Sequence, residues 1–111
     1  MIQQDLSIEG INANQVIERF CYEFQPDAKF IIAKGDVHVY IIERFFLRSS
    51  SDISATILFE LKNTNHLGVH ITIAGGGNMY GITFGAQNSL LKKLRKFFTK
   101  LSDKTDLIEK H

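Results

Sequence analysis

From Ile53 to Leu61 the chain alternates: Ile53, Ala55, Ile57, Phe59 and Leu61 fall on one side, and Ser54, Thr56, Glu60 and Lys62 on the other. A period of two marks a β-strand with one face in a core. The same pattern recurs on either side of it. Val39, Ile41, Phe45 and Leu47 oppose His38, Tyr40, Arg44 and Arg48, and Leu67, Val69, Ile71 and Ile73 oppose His70 and Thr72. The connections Ser49-Ser50-Ser51-Asp52 and Asn63-Thr64-Asn65-His66 are short and polar, which predicts antiparallel hairpins rather than crossovers.

Shorter runs extend this meander. Phe30 to Ala33 is an apolar strand before the Gly35-Asp36 turn, residues 2–8 form a brief strand around Leu6 and Ile8, and Met79 to Phe84 forms a last one. Two segments change to helical periodicity. Over residues 12–24, Val16, Ile17, Phe20 and Phe24 form an apolar stripe, Asn12 is placed to cap it, and Gln25-Pro26-Asp27 ends it. Over residues 87–102 the stripe is Leu90, Leu91, Leu94, Phe97, Phe98 and Leu101, and Asn88 is placed to cap the start. Beyond Asp103 the tail adds a helical turn around Leu107 and Ile108, or frays.

The predicted order is β-α-β-β-β-β-β-α. This is an α+β fold of one domain over residues 1–111, an antiparallel β-meander packed against an N-terminal and a C-terminal amphipathic helix. Whether the sheet stays open or curls around the last helix does not follow from the pattern.

Composition excludes several function classes. Lys and Arg number 13 against 12 Asp and Glu, a net charge of +1, so a nucleic-acid partner is not expected. The single cysteine, Cys21, forms no intrachain disulfide and suits a reducing, cytoplasmic compartment. No apolar run approaches a transmembrane length, and the N-terminus lacks the pattern of a signal peptide.

The segment Val37-His38-Val39-Tyr40-Ile41-Ile42-Glu43-Arg44-Phe45, the run Ile71-Thr72-Ile73-Ala74-Gly75-Gly76-Gly77-Asn78, the step Phe84-Gly85 and the helix with Ser89-Leu90-Leu91 form one series. Over about residues 37–98 it resembles a set of small uncharacterised bacterial proteins with a hairpin sheet, a glycine-rich turn and a closing helix. The resemblance implies a bacterial cytoplasmic setting and brings no catalytic residues.

Several constellations invite a functional reading. Gly75, Gly76 and Gly77 could present backbone N–H groups to an anion. They lack the Lys-Ser/Thr pair of a phosphate loop, and a hairpin turn or bulge accounts for them more simply. His38, Tyr40, Glu60 and His70 are expected together on the mixed face of the sheet, with Tyr40 opposite Glu60 in one register. That set could bind a small ligand or perform acid–base chemistry, although a solvated sheet face explains the same pattern. Glu43 stands between Ile41 and Phe45 on the apolar side. A bulge at Glu43-Arg44 that swaps the faces, and turns Phe46 inward, is preferred to a buried carboxylate of shifted pKa. Cys21 has no neighbouring base and reads as a structural thiol. Lys92, Lys93 and Lys96 give the last helix a basic face that could meet an anionic surface, but a helix covering a sheet commonly carries lysines outward.

No catalytic set, metal-ligand spacing or cofactor motif is present. The first functional reading is therefore a non-enzymatic binding or self-assembling module, a homodimer or other homo-oligomer. Phe30, Ile42, Phe45 and Phe46 would provide the apolar surface. The alternatives are a ligand-binding protein or enzyme with a pocket between sheet and C-terminal helix, and an anionic-surface binder acting through the basic helix.

Overall fold

The computed structural model describes residues 2–46, 51–75, 82–101 and 105–108. The elements are β1 (Ile2–Glu9), α1 (Ala13–Phe24), β2 (Ala28–Ile32), β3 (Val37–Phe46), β4 (Ser51–Asn63), β5 (His66–Gly75), α2 (Ile82–Leu101) and β6 (Thr105–Ile108), with a 3₁₀ turn at Ala33–Gly35. The class is the expected α+β arrangement. One antiparallel sheet runs in the order β2-β3-β4-β5-β1-β6. It has two distinct edges, β2 and β6, so it does not close into a barrel.

Helix α1 begins where Asn12 accepts a hydrogen bond from the Gln15 N–H at 3.2 Å, as the cap expectation required. It ends at Gln25, in the left-handed region, whose N–H donates to the Cys21 carbonyl. Pro26 then prevents continuation. Both helices lie on one face of the sheet. Phe20 of α1 meets Phe98 of α2 at 5.9 Å and Phe59 of β4 at 5.1 Å between ring centroids, so one aromatic cluster joins three elements.

Three expectations about elements change. The strand from Met79 to Phe84 does not form over its described part, because Ile82–Phe84 are the first residues of α2. Both edges of β5 are taken, by β4 and by β1, so no slot remains beside it. Helix α2 therefore starts earlier than residue 87, and Asn88 is an exposed residue inside it rather than its cap. Gly85 within the helix costs about 1 kcal/mol relative to alanine, which a 20-residue helix with a buried stripe outweighs. Thr105–Ile108 form a strand instead of a helical turn, with Ile108 opposite Asp5 and Leu107 opposite Leu6.

The faces of β3 are also reversed. Tyr40 and Ile42 are buried under the helices, while Val39 and Ile41 are on the other face. Apolar residues occupy both faces of β3, so alternation alone does not choose between them. Pairing with β4 does: Tyr40 stands opposite Ile57 and Ile42 opposite Ala55, and directly paired residues share a face. The register runs unbroken from Val37 to Phe46, so the bulge expected at Glu43 is absent. Glu43 is simply exposed, and its N–H donates to Asp27 Oδ2 at 2.7 Å.

Candidate functional site: the open face of the sheet

One face of the sheet carries both helices, and among the described residues nothing packs over the other. Cross-strand register reads this open face in rows. One row is Phe30, Val39, Leu58, His70 and Asp5, from β2 across to β1. The next is Ile32, Val37, Glu60, Gly68 and Ser7. A third is Ala28, Ile41, Thr56, Thr72 and Gln3. The face is therefore apolar at β2 and β3 and polar at β5 and β1.

On the polar half, His70 Nδ1 lies 2.9 Å from Asp5 Oδ1. Asp5 is only 7% exposed, and a carboxylate at that distance accepts the Nδ1–H. The imidazole is thereby held with Nε2 toward Gly68, 3.7 Å from where a Cβ would stand. Glu60 and Lys62 form an ion pair at 2.8 Å on the other side of that glycine. The hydrogen bond from Lys62 holds the Glu60 carboxyl below its ordinary pKa, burial partly opposes this, and the Lys62 charge adds to the lowering. Ser7 Oγ and His66 Nε2 are 3.0 Å apart, and Glu9 lies 3.5 Å from the same nitrogen. Among the described residues no three His, Cys, Asp or Glu side chains converge as metal ligands would.

Asp5 and His70 give a stability prediction. At neutral pH, His70→Ala should cost more than Asp5→Ala, with values of about 3 and about 1–2 kcal/mol. Removing the imidazole takes a hydrogen-bond donor from a carboxylate that is 7% exposed, whereas removing the carboxylate leaves a ring that water reaches. Urea denaturation of both variants measures the order, and equal losses would show that the pair is solvated.

The four predicted ligand residues do not form one site. Glu60 and His70 share the open face. His38 and Tyr40 are on the helix-covered side, and Tyr40 faces Ile57 rather than Glu60. The Tyr40 hydroxyl is 3.4 Å from His38 Nδ1, and His38 Nε2–H donates to the Gly35 carbonyl at 2.9 Å. Burial raises the Tyr40 pKa well above its ordinary value, and the hydrogen bond to Cys21 raises it further.

The pocket expected between sheet and α2 is filled by fully buried side chains, among them Phe59, Leu94 and Phe98. A cleft of ≈ 400 Å³ lies instead on the solvent side of the helices, lined by Glu18, Arg19, Tyr22, Glu23, Phe97 and Leu101. Lys92, Lys93 and Lys96 are exposed on α2, and Lys93 and Lys96 share a neighbouring groove with Glu23, an opposite charge. Gly75 ends β5 opposite Ile53, while Gly76 and Gly77 lie outside the described residues.

Of the four residues expected to supply apolar interface, Ile42 is fully buried in the core and the side chains of Phe45 and Phe46 are outside the description. Phe30 is 55% exposed, and its neighbours Ile31 and Ile32 are 50% and 53% exposed. Asp5 on the open face and Ile31 and Ile32 on the β2 edge are not marked by any local pattern. Asp5 sits in a short run whose partner strand is more than sixty residues away, and Ile31 and Ile32 looked like the interior of an ordinary strand. Their only sequence signal was three consecutive large apolar residues, which fits a strand buried on both faces.

No helix among the described residues is long and apolar enough to cross a membrane. No family model and no curated protein matches this chain.

Proposed function

We propose that this protein is a non-enzymatic module that self-associates through the β2 side of its open sheet face. One observation carries the reading: Phe30, Ile31 and Ile32 lie on an edge strand with about half of each side chain in water. Natural edge strands are commonly protected by charge, proline or a covering loop. This one has a single charge, Lys29, and apolar residues on both faces. Val37, Val39, Ile41 and Leu58 continue the apolar surface inward along the open face. A single, half-buried Cys21 suits work in a reducing compartment such as the cytoplasm.

A contact of this kind belongs to the weak class below about 1,200 Å² of buried surface, so association is expected at roughly micromolar or higher concentration. Sedimentation equilibrium on the wild-type chain should give a mass above the monomer that rises with loading. Phe30→Asp should return the monomer mass without lowering the unfolding midpoint, because the side chain it replaces is not in the core. A wild-type chain that remains monomeric throughout the millimolar range sinks the proposal.

A further inference from the structure

We infer that the occupant of the β2 edge is β2 of a second copy, paired antiparallel about a two-fold axis at Phe30. This rests on the self-association reading and adds its partner strand and register.

The backbone of β3 shows which groups β2 presents outward. The Glu43 N–H points to the β2 side, where it meets Asp27. Backbone groups alternate sides along a strand. Val37, Val39 and Ile41 therefore also face β2, and they are the partners of Ile32, Phe30 and Ala28. Those three use their N–H and C=O groups toward β3. Lys29 and Ile31 accordingly direct theirs away from the sheet, and among the described elements no strand lies beyond β2.

Two outward-facing residues separated by one are a self-complementary set. Rotation about an axis at Phe30 places Lys29 opposite Ile31 of the second copy and Ile31 opposite its Lys29. Each of these is a hydrogen-bonded pair, so four main-chain bonds form. Phe30 meets its own copy as the intervening non-hydrogen-bonded pair, where Cα atoms approach to about 4.5 Å. Ala28 stands opposite Ile32 at both ends. All five residues of β2 are used, and no other register centred within the strand uses them all. On the open face this brings Phe30 and Ile32 of both copies together, and on the helix side the Lys29 stem lies along Ile31, leaving its ammonium in water. The two six-stranded sheets then continue as one through the dimer.

Cysteine cross-linking of the full chain tests this register. In a Cys21→Ser background, Phe30→Cys places two thiols as a non-hydrogen-bonded cross-strand pair, within disulfide reach. Under mild oxidation it should dimerise at least about tenfold faster than Ala28→Cys or Ile32→Cys, whose thiols lie on residues apart from their own copies. Ile31→Pro removes an outward N–H at an edge position where proline is tolerated. It should weaken the wild-type association about tenfold or more while leaving the monomer's unfolding curve in place. Self-association with equal cross-linking at residues 28, 30 and 32, or unaffected by Ile31→Pro, overturns the paired-edge geometry and leaves the self-associating module standing. A strictly monomeric wild type, including one whose β2 is captured only by an extended peptide of another protein, overturns both.

Discussion

Phe20→Ala is expected to lower the unfolding free energy by about 3–5 kcal/mol, the range for deleting a phenylalanine from a packed core. Its ring is fully buried and lies 5.1–5.9 Å from the rings of Phe24, Tyr40, Phe59 and Phe98. These partners belong to α1, β3, β4 and α2, so little can collapse into the space without moving a whole element. Small domains have only about 5–15 kcal/mol in total, and the variant should be marginal at 37 °C. Urea denaturation with an unchanged m-value is the measurement. Tyr22→Ala, on the same helix but 83% exposed, is the control and should stay within about 0.5 kcal/mol of wild type. A loss below about 1 kcal/mol at Phe20 would contradict the aromatic cluster.

The second large effect appears in alkali and belongs to Tyr40. Its hydroxyl is buried in the folded chain, with the residue 4% exposed, and its pKa is raised above the ordinary 10.0 by that burial, then by Cys21. Below pH 10 the phenol is protonated whether the chain is folded or not, so its contribution is fully present. Above pH 10 the unfolded chain loses this proton and the folded chain keeps it. Stability then falls by about 1.4 kcal/mol for each pH unit until the folded group ionises too. Tyr40→Phe cannot ionise and lacks this slope. The difference in unfolding free energy between wild type and Tyr40→Phe should therefore shift by roughly that amount per unit between pH 10 and 11.5. Parallel pH curves for the two proteins would mean that the hydroxyl reaches water.

How far the fold was legible depended on whether a pattern was local. The run from Ile53 to Leu61 alternates cleanly, and all of its inward residues except the half-buried Leu61 are buried. The Asn12 cap and the stripe of α1 could be read because capping and 3.6-residue periodicity are properties of a few adjacent residues. The faces of β3 could not be read, since Val39 and Ile41 compete with Tyr40 and Ile42 and only the β4 register separates them. Residues 82–84 were equally undetermined: Ile82 and Phe84 fit a strand, and what excludes one is that β1 already occupies the edge of β5.

The candidate site was less legible than the fold. His38, Tyr40, Glu60 and His70 were grouped by assuming that the polar side of each strand faces one way. The β3 register divided them, two to a face. Asp5 joined His70 through a pairing between β1 and β5 that no local signal announces.

By itself, then, the sequence determined that this chain makes an antiparallel sheet with two amphipathic helices, because periodicity and capping depend on neighbours a few residues apart. Tertiary structure alone decided which strand is central and which lies at the edge. It placed β1 beside β5 and left β2 outermost, so that Phe30, Ile31 and Ile32, a run suited to the middle of a sheet, stand at its margin. Strand order is set by contacts between residues far apart in the chain. For that reason the exposed apolar edge could be found only in the folded molecule.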